Sequence, residues 1–296
     1  MHFPAILRII GLLLMLYSTT LLVPALVAVI YADDGLLRFL YSFVITFACG
    51  LLGWLPVQNQ RQELRVRDGF IIVVLFWSVL GLFGAVPYLL GDGFRLDITN
   101  AVFESVSGIT TTGATVLTQI ESLPKSLLYY RQQQQWLGGL GIIVLAVAIL
   151  PMLGIGGLQL YRAETPGAMK DSKLTPRVTE TARALWYLYV VLTVACALGF
   201  WWSGMNLFDA IGHSFATLSL GGFSTYDGSI AHFNSAAIEL VAIVFMLLGG
   251  MNFGLHFVAW RRRNLRPYIA DGEVRFYFTV VTLASAAVFV GLLATG

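Results

Sequence analysis

Charged residues are scarce in this sequence, and so are cysteines. Asp, Glu, Lys and Arg make up 11% of the 296 residues, whereas soluble domains contain about 25%. The two cysteines, Cys49 and Cys196, lie inside apolar stretches, and their spacing predicts neither a disulfide framework nor a metal motif. A net charge of +2 without a basic patch argues against nucleic-acid binding. Because no nucleotide-binding glycine motif, catalytic triad or metal cluster stands out, we expect a protein that is not an enzyme.

Apolar runs of membrane-spanning length dominate what is present. Hydrophobic residues make up 57% of the chain, and the mean hydropathy is +0.78. Runs near 20 residues or longer, enough to cross about 30 Å of hydrocarbon, lie at about 6–31, 36–57, 69–90, 126–160, 182–204, 235–260 and 275–296. The run that follows the N-terminus is longer than a signal-peptide core, and we interpret it as a retained helix. The composition therefore predicts a multi-pass membrane protein.

Two short amphipathic segments, 97–109 and 206–218, interrupt this pattern. Each is too short to span a bilayer, and we expect both to be re-entrant. With the N-terminus in the cytoplasm, this topology places 14 of the 18 Lys and Arg residues on the inner side, as positively charged loops prefer. The remaining four fall on the outer side, namely Arg38, Arg95, Lys125 and Arg131.

An internal repeat organises the chain. A shift of 109 residues places Gly113 on Gly222, Ser105 on Ser214 and Thr110 on Ser219, and the pairs Gly138–Gly139 and Gly249–Gly250 match at a shift of 111. Each unit is predicted to be a spanning helix, a short helix, a loop and a second spanning helix. The predicted divisions are an N-terminal hairpin at 1–57, repeats at 68–162 and 178–262, and the first helix of a third repeat at 271–296.

Each short segment is followed by a loop of small and hydroxylic residues around a glycine. We call residues 110–115 the first glycine loop and residues 219–224 the second glycine loop. Irregular backbone at membrane depth is tolerated where it lines a cavity, and a row of carbonyl oxygens can replace the hydration shell of an ion. Glycine lets consecutive carbonyls point the same way. A simple turn explains one such loop, but two at equivalent positions favour an ion filter.

Three stretches, FESVSGITTTGAT, WLGGLGIIVLAVAILPMLGIGGLQLYRAETPG and FDAIGHSFATLSLGGFST, resemble the Trk/Ktr/HKT superfamily of potassium-channel-like cation transporters. Within it the chain is similar to the membrane subunits of bacterial Trk potassium uptake systems. The resemblance implies an all-α membrane protein, with a helical hairpin followed by helix–pore loop–helix repeats whose pore helices are re-entrant. It also implies potassium transport in the bacterial inner membrane, with the N-terminus in the cytoplasm.

The resemblance implies which backbone carbonyls bind potassium. They are those of Thr111, Thr112 and Gly113 in the first glycine loop and of Leu220, Gly221 and Gly222 in the second, and Ala114 and Phe223 could add an outer site. Potassium is then the substrate, and we expect no covalently bound cofactor. Membrane lipid and a cytosolic nucleotide-binding gating subunit of the TrkA type are the implied partners, and we expect a homodimer.

The family has four such repeats in one chain, whereas this sequence holds two and the first helix of a third. Either it is a piece of a longer protein, which we favour, or two copies build one pore. A non-conducting fragment or assembly subunit is one alternative function. A secondary transporter with broken helices is another, but it requires inverted repeats, and here both units start from the inner side.

Several other residues carry expectations. Glu104, which aligns with His213, is expected to hydrogen-bond behind the first glycine loop. The Gln132–Gln135 run is expected to be an interfacial or pore-facing patch. The glycine pairs are expected to allow close helix packing or hinge-like bending, and His256 to be a packing or interfacial residue. Pro151 and nearby glycines predict a break in the fourth run, and the basic loop 162–183 could dock the cytosolic partner.

Overall fold

The computed structural model describes residues 2–59, 66–91, 93–141 and 178–295, and the regular structure in these ranges is entirely helical. The predicted all-α fold is therefore confirmed. The helices are α1 (Phe3–Thr20), α2 (Leu22–Tyr31), α3 (Gly35–Trp54), α4 (Val66–Phe83), α5 (Val86–Leu89), α6 (Ile98–Ile109), α7 (Lys125–Gly139), α8 (Val178–Trp202), α9 (Leu207–Leu218), α10 (Ala236–Gly249), α11 (Phe253–Arg262), α12 (Arg266–Ala270) and α13 (Gly272–Thr295). Short 3-10 turns lie at Leu55–Val57, Ile120–Ser122 and Ser229–Phe233.

The first three helices form the predicted N-terminal hairpin. It crosses at two glycines, because a Cβ on Gly11 would lie 2.7 Å from the carbonyl oxygen of Gly50, and a Cβ on Gly50 would lie 2.8 Å from that of Gly11. This close approach requires residues without side chains. The turn of the hairpin is tied to the first unit, since the Asp33 carboxylate accepts from the backbone N–H of Ser126 at 2.8 Å.

The first unit consists of α4 to α7 packed against the hairpin. Buried side chains of α1 and α4, including Ile9, Leu13, Ile72 and Phe76, form one core. A second core joins α2 and α3 to α6 and α7. The short helix α6 thereby packs against α4 and α7, while its Phe103 and Val106 side chains stay exposed.

The second unit repeats this arrangement with α8 to α11. Its core contains Leu185, Cys196, Phe200 and Leu218, all of which are buried. Both cysteines are expected in the apolar core from their sequence context, and this is confirmed for Cys196, which is buried. It is wrong for Cys49, which is exposed on α3. Trp136 of α7 stacks on Phe215 of α9 at 5.0 Å between ring centroids, so the two units share an aromatic contact.

Five helical stretches of the described chain are long and apolar enough to cross a bilayer, namely Phe3–Tyr31, Gly35–Val57, Ile71–Leu89, Arg183–Trp202 and Gly272–Ala294. They agree with the predicted runs to within a few residues. The short segments also form helices at the predicted places, as α6 and α9. Three predictions lie outside the described residues. They concern the rest of the fourth run with its break at Pro151, most of the basic loop 162–183, and the repeat boundary at 162.

The sixth predicted run is broken in two. Helices α10 and α11 meet at 93°, with the break after the glycine pair at 249–250. His256 holds the corner, because its Nε2 lies 2.9 Å from the carbonyl oxygen of Leu248 and its Nδ1 lies 2.8 Å from the hydroxyl of Tyr268. A carbonyl only accepts, so Nε2 carries the proton and Tyr268 donates to Nδ1. His256 is buried, as expected of a packing residue, and its two hydrogen bonds also stabilise this bend.

Candidate functional site

The two short helices begin with the same cap built from the same two residue types in opposite order. Asp97 caps α6 by accepting from the backbone N–H of Asn100 at 3.0 Å, and Asn206 caps α9 by accepting from that of Asp209 at 3.0 Å. In both helices the Asn side chain also donates to the Asp carboxylate at 2.6 Å. The caps satisfy N–H groups that have no partner inside the helix, and they fix where each helix starts.

The two short helices also end in the same way, as Schellman motifs. The last turn of each is closed by two backbone hydrogen bonds that run from the start of the glycine loop back to the helix. The bonds are Thr111 N–H to Gly108 O at 3.1 Å and Thr112 N–H to Ser107 O at 2.9 Å, and correspondingly Leu220 N–H to Thr217 O at 3.2 Å and Gly221 N–H to Ala216 O at 2.8 Å. The predicted shift of 109 residues thus holds at the level of individual hydrogen bonds.

Both loops use left-handed backbone at equivalent positions. The φ angles are +55° at Thr111 and +76° at Gly113 in the first loop, and +56° at Leu220 and +85° at Gly222 in the second. Glycine adopts these angles freely, whereas a β-branched threonine or a leucine rarely does. Such strain costs about 1–2 kcal/mol per residue, and strained residues of this kind cluster at functional sites.

The loops lie directly against each other. A Cβ on Gly113 would clash with the carbonyl oxygen of Gly221, and a Cβ on Gly221 would clash with the side-chain amide of Gln135. Around Gly222 a Cβ would meet no atom within 4 Å. Gly222 and Thr112 are exposed, so each loop has one side packed against protein and one side open.

Behind the first loop lies a buried carboxylate. Glu104 of α6 is 0% exposed and accepts from the Thr115 hydroxyl at 2.9 Å and from the Val116 backbone N–H at 3.2 Å. The sequence predicted that Glu104 hydrogen-bonds behind the first glycine loop, and the structure places it there.

Behind the second loop a histidine takes the same place. His213 of α9 lies with Nδ1 2.9 Å from the carbonyl oxygen of Asp209 and Nε2 3.0 Å from the hydroxyl of Ser224. Because a carbonyl only accepts, Nδ1 carries the proton and Ser224 donates to Nε2. Ser224 is the repeat equivalent of Thr115, so the two units brace their loops at the same point with different chemistry.

Arg131 of α7 connects the two loops. Its Nε donates to Glu104 at 2.9 Å, one Nη donates to the Thr115 hydroxyl at 3.1 Å, and the other donates to the carbonyl oxygen of Ser224 at 3.1 Å. The guanidinium also lies 4.4 Å from the ring centroid of Phe223. Both members of the ion pair are 0% exposed.

The glutamine run differs from its prediction. Gln132–Gln135 are all buried, with exposed fractions of 0–4%, and are neither interfacial nor open to a pore. Gln134 accepts from the Tyr88 hydroxyl at 2.6 Å and donates to Ser105 at 3.1 Å, and Gln135 accepts from the Phe223 backbone N–H at 2.9 Å. These amides satisfy polar groups behind both loops, where apolar side chains would leave them without partners.

Carboxylates also join the segments that follow the two glycine loops. Asp227 accepts from the backbone N–H groups of Gln119 at 2.9 Å and Ile120 at 3.2 Å, and its own N–H donates to Glu121 at 3.1 Å. Asp209 accepts from the Tyr226 hydroxyl at 2.9 Å. Partial burial and this hydrogen bond raise the pKa of Tyr226 to about 12, so the phenol stays protonated and donates.

The glycine pairs pack as predicted. A Cβ on Gly138 would clash with the carbonyl oxygen of Ile109, and one on Gly249 would lie 2.9 Å from that of Leu218. Ile109 and Leu218 are the last residues of α6 and α9. In both units, therefore, the glycine pair lets the following helix approach the end of the short helix.

All six residues expected to bind potassium lie in the two adjoining loops. The structure brings Gly113 and Gly221 into contact and leaves Thr112, Leu220 and Gly222 exposed. Sequence reasoning did not identify Arg131 as part of this site and counted it only as an outer positive charge. An arginine that starts a polar stretch of a predicted spanning run is a signal that could have found it, because ionisable groups at membrane depth are functional candidates.

Comparisons with known proteins agree with this geometry. Residues 36–295 match the TrkH family, which is described as "Cation transport protein". The chain is 59% identical over 271 residues to the Trk system potassium uptake protein TrkH of Halomonas elongata, covering 92% of this chain and 56% of that protein. It is 53% identical over 289 residues to the protein of that name from Escherichia coli K12, covering 96% of this chain and 60% of that protein.

A solved structure is also similar. The crystal structure of the potassium transporter TrkH from Vibrio parahaemolyticus superimposes with a TM-score of 0.83 at 49% sequence identity, covering 96% of this chain and 57% of that one. The chain therefore spans a little over half the length of the proteins that it resembles.

Proposed function

The chain belongs to the TrkH family of cation transport proteins, and we propose that its two glycine loops form part of a potassium pathway across the bacterial inner membrane. The backbone carbonyls of Thr111, Thr112 and Gly113 line one part of the filter, and those of Leu220, Gly221 and Gly222 line another. Two further loops, expected from the four-repeat family pattern, complete the ring. The reaction is passive ion movement and involves no covalent chemistry.

The observation that carries this proposal is the matched conformation of the two loops. Both follow the C-terminal end of a short helix, both place left-handed backbone at equivalent positions, and they touch through Gly113 and Gly221. Helix C-termini carry partial negative charge, and backbone carbonyls are the oxygen ligands that replace potassium hydration in filters. Two separate parts of the chain thus place loops of the same backbone conformation side by side.

The proposed orientation has the N-terminus in the cytoplasm and the glycine loops toward the outer side. The excess of Lys and Arg on the predicted inner side supports it. Burial of two arginines on the outer side makes the difference in exposed positive charge larger. Of the four basic residues placed outside, Arg38 is 2% exposed and Arg131 is 0% exposed. Only Arg95 and Lys125 then contribute positive charge near the outer surface, where carboxylates such as Asp227 and Glu121 would attract cations.

The proposed partners act from the cytoplasm and across a subunit interface. We infer a cytosolic nucleotide-binding gating subunit of the TrkA type, since the relatives are named as members of a Trk system, and a homodimer. An inverted-repeat secondary transporter is disfavoured, because both units are predicted to start from the inner side of the membrane, whereas inverted repeats have opposite orientations.

Uptake of rubidium tests the proposal. The complete reading frame is expressed in a bacterium that lacks its own potassium uptake systems, and rubidium uptake is measured with and without excess sodium. We expect growth at low potassium and rubidium uptake that potassium suppresses and sodium does not. Absence of rubidium uptake by a correctly inserted protein would overturn the proposed function.

A further inference from the structure

The ion pair between Arg131 and Glu104 reaches both glycine loops. Glu104 is on α6, Arg131 is on α7, and both side chains are 0% exposed. Through Thr115 the pair contacts the end of the first loop, and through the Ser224 carbonyl it contacts the end of the second. We name these four residues, with Phe223 against the guanidinium, the inter-loop clamp.

Bracing one loop does not require an ion pair. In the second unit His213 holds Ser224 as a neutral ring, and the position equivalent to Arg131 at the shift of 111 residues is Ala242, which is 4% exposed. A loop can therefore be supported by a neutral hydrogen bond and an apolar neighbour. The first unit additionally has Arg131, whose long side chain carries several N–H donors and reaches the second glycine loop.

Fold stability is a weak reason for such a pair. Removing two charges from water is costly, and apolar residues of similar volume often stabilise a protein as well as a buried ion pair does. A buried ionic group that contacts two separate segments instead fixes their relative position. The free-energy cost of burying the two charges is accounted for if the two glycine loops must keep a fixed relative position.

We infer that Arg131 is a positioning residue that holds the second glycine loop at a fixed distance from the first and thereby sets cation selectivity. This inference rests on the proposed function for its effect on transport, but its structural part does not. The guanidinium donates to the carbonyl of Ser224, so that this carbonyl is directed into the clamp. Without the clamp the second loop keeps His213 and its contact with Gly113, but it loses the hydrogen bond that joins Ser224 to the ion pair behind the first loop.

The test compares three variants in the complete protein. Arg131→Met removes the clamp and leaves Glu104 unpaired, whereas the double variant Glu104→Gln/Arg131→Met removes the clamp without an unpaired buried charge. Arg38→Met is the matched control, because Arg38 is a similarly buried arginine whose hydrogen bond, at 2.7 Å, goes to the carbonyl of Phe94 and not to a glycine loop.

The first measurement is rubidium uptake in liposomes in competition with sodium. We expect Arg131→Met and the double variant to lose about tenfold in rubidium preference, the scale of one hydrogen bond to a charged group. The double variant should recover folded protein relative to Arg131→Met without recovering the preference. Arg38→Met should lower the amount of folded protein and leave the preference unchanged. A wild-type preference in the double variant would mean that the pair serves only folding.

The second measurement does not depend on transport. Amide hydrogen exchange is followed for peptides that cover residues 219–226. We expect about tenfold faster exchange in the double variant and wild-type exchange in Arg38→Met. Unchanged exchange in the double variant would overturn the clamp even if the protein transports rubidium. If the wild-type protein moves no rubidium but the double variant still exchanges faster, the clamp is retained while the proposed function fails.

Discussion

Gly113 and Gly222 occupy equivalent places in the two glycine loops, yet their surroundings differ. Both have a positive φ, at +76° and +85°. A Cβ atom on Gly113 would clash with the Gly221 carbonyl oxygen, whereas a Cβ atom on Gly222 would meet no atom within 4 Å. The two positions therefore share a conformational requirement and differ in a steric one.

This difference predicts unequal effects of serine at the two positions. In the complete protein, Gly113→Ser is expected to reduce both the amount of folded protein and the preference for rubidium over sodium, because the loops must separate. Gly222→Ser is expected to reduce the preference, by roughly tenfold for a strain near 1–2 kcal/mol, with little loss of folded protein. Competition uptake and detergent-extracted yield measure the two effects. Wild-type preference in both variants would exclude these loops as the filter.

At the residue scale the sequence predicted the loops but not what holds them. The glycines, the hydroxylic residues and the role of Glu104 could be inferred from spacing and the internal repeat. The partners of Arg131 could not be predicted, because they lie 27 and 93 residues away in sequence. The glutamine run was predicted wrongly, since an amide side chain is equally suited to an interface and to a buried hydrogen-bond network.

At the scale of elements, the helices following the glycine loops end where they meet the short helices. Helix α7 ends at Gly139 and α10 at Gly249, although the apolar runs continue in the sequence. In the run at 235–260, hydropathy therefore predicted the extent of the helical segment but not its break after Gly249. The break depends on packing against Ile109 and Leu218, which a hydropathy pattern does not contain.

Enlarging the glycine at this contact is expected to destabilise the first unit. Gly138→Ala would force the backbone of α7 away from the Ile109 carbonyl, at a cost of about 1–3 kcal/mol. Gly53→Ala is the control, because a Cβ there would lie 3.6 Å from Leu7, in ordinary contact. Thermal unfolding of the purified complete protein should show a lower midpoint for Gly138→Ala only. Equal midpoints for the two variants would contradict close packing at this site.

At the scale of the whole molecule, topology follows from the placement of charge. Five of the predicted spans match described helices, the run at 235–260 is bent after Gly249, and the two short helices form at the predicted positions. The orientation stays a prediction, because helix positions alone do not distinguish inside from outside.

Labelling of single cysteines decides the orientation. Thr118→Cys and Asn59→Cys introduce thiols at exposed positions that are predicted to lie outside and inside, respectively. A membrane-impermeant maleimide added to intact cells should label the first and spare the second until the cells are opened. Both variants are made in a Cys49→Ser background, because Cys49 is exposed on α3. The same background without a new cysteine is the control, since Cys196 is buried. The reverse pattern would place the N-terminus outside.

The open side of the glycine loops has a consequence for how selectivity can arise. An ion beside Thr112 and Gly222 would exchange water for carbonyl oxygen on one side only, and the rest of its hydration shell would remain. Sodium and potassium differ in what it costs to remove the whole shell, so partial dehydration separates them poorly. Selectivity between sodium and potassium therefore requires a complete ring of loops around the ion. Stronger carbonyl contacts within these two loops alone would increase the affinity for both ions and leave their ratio unchanged.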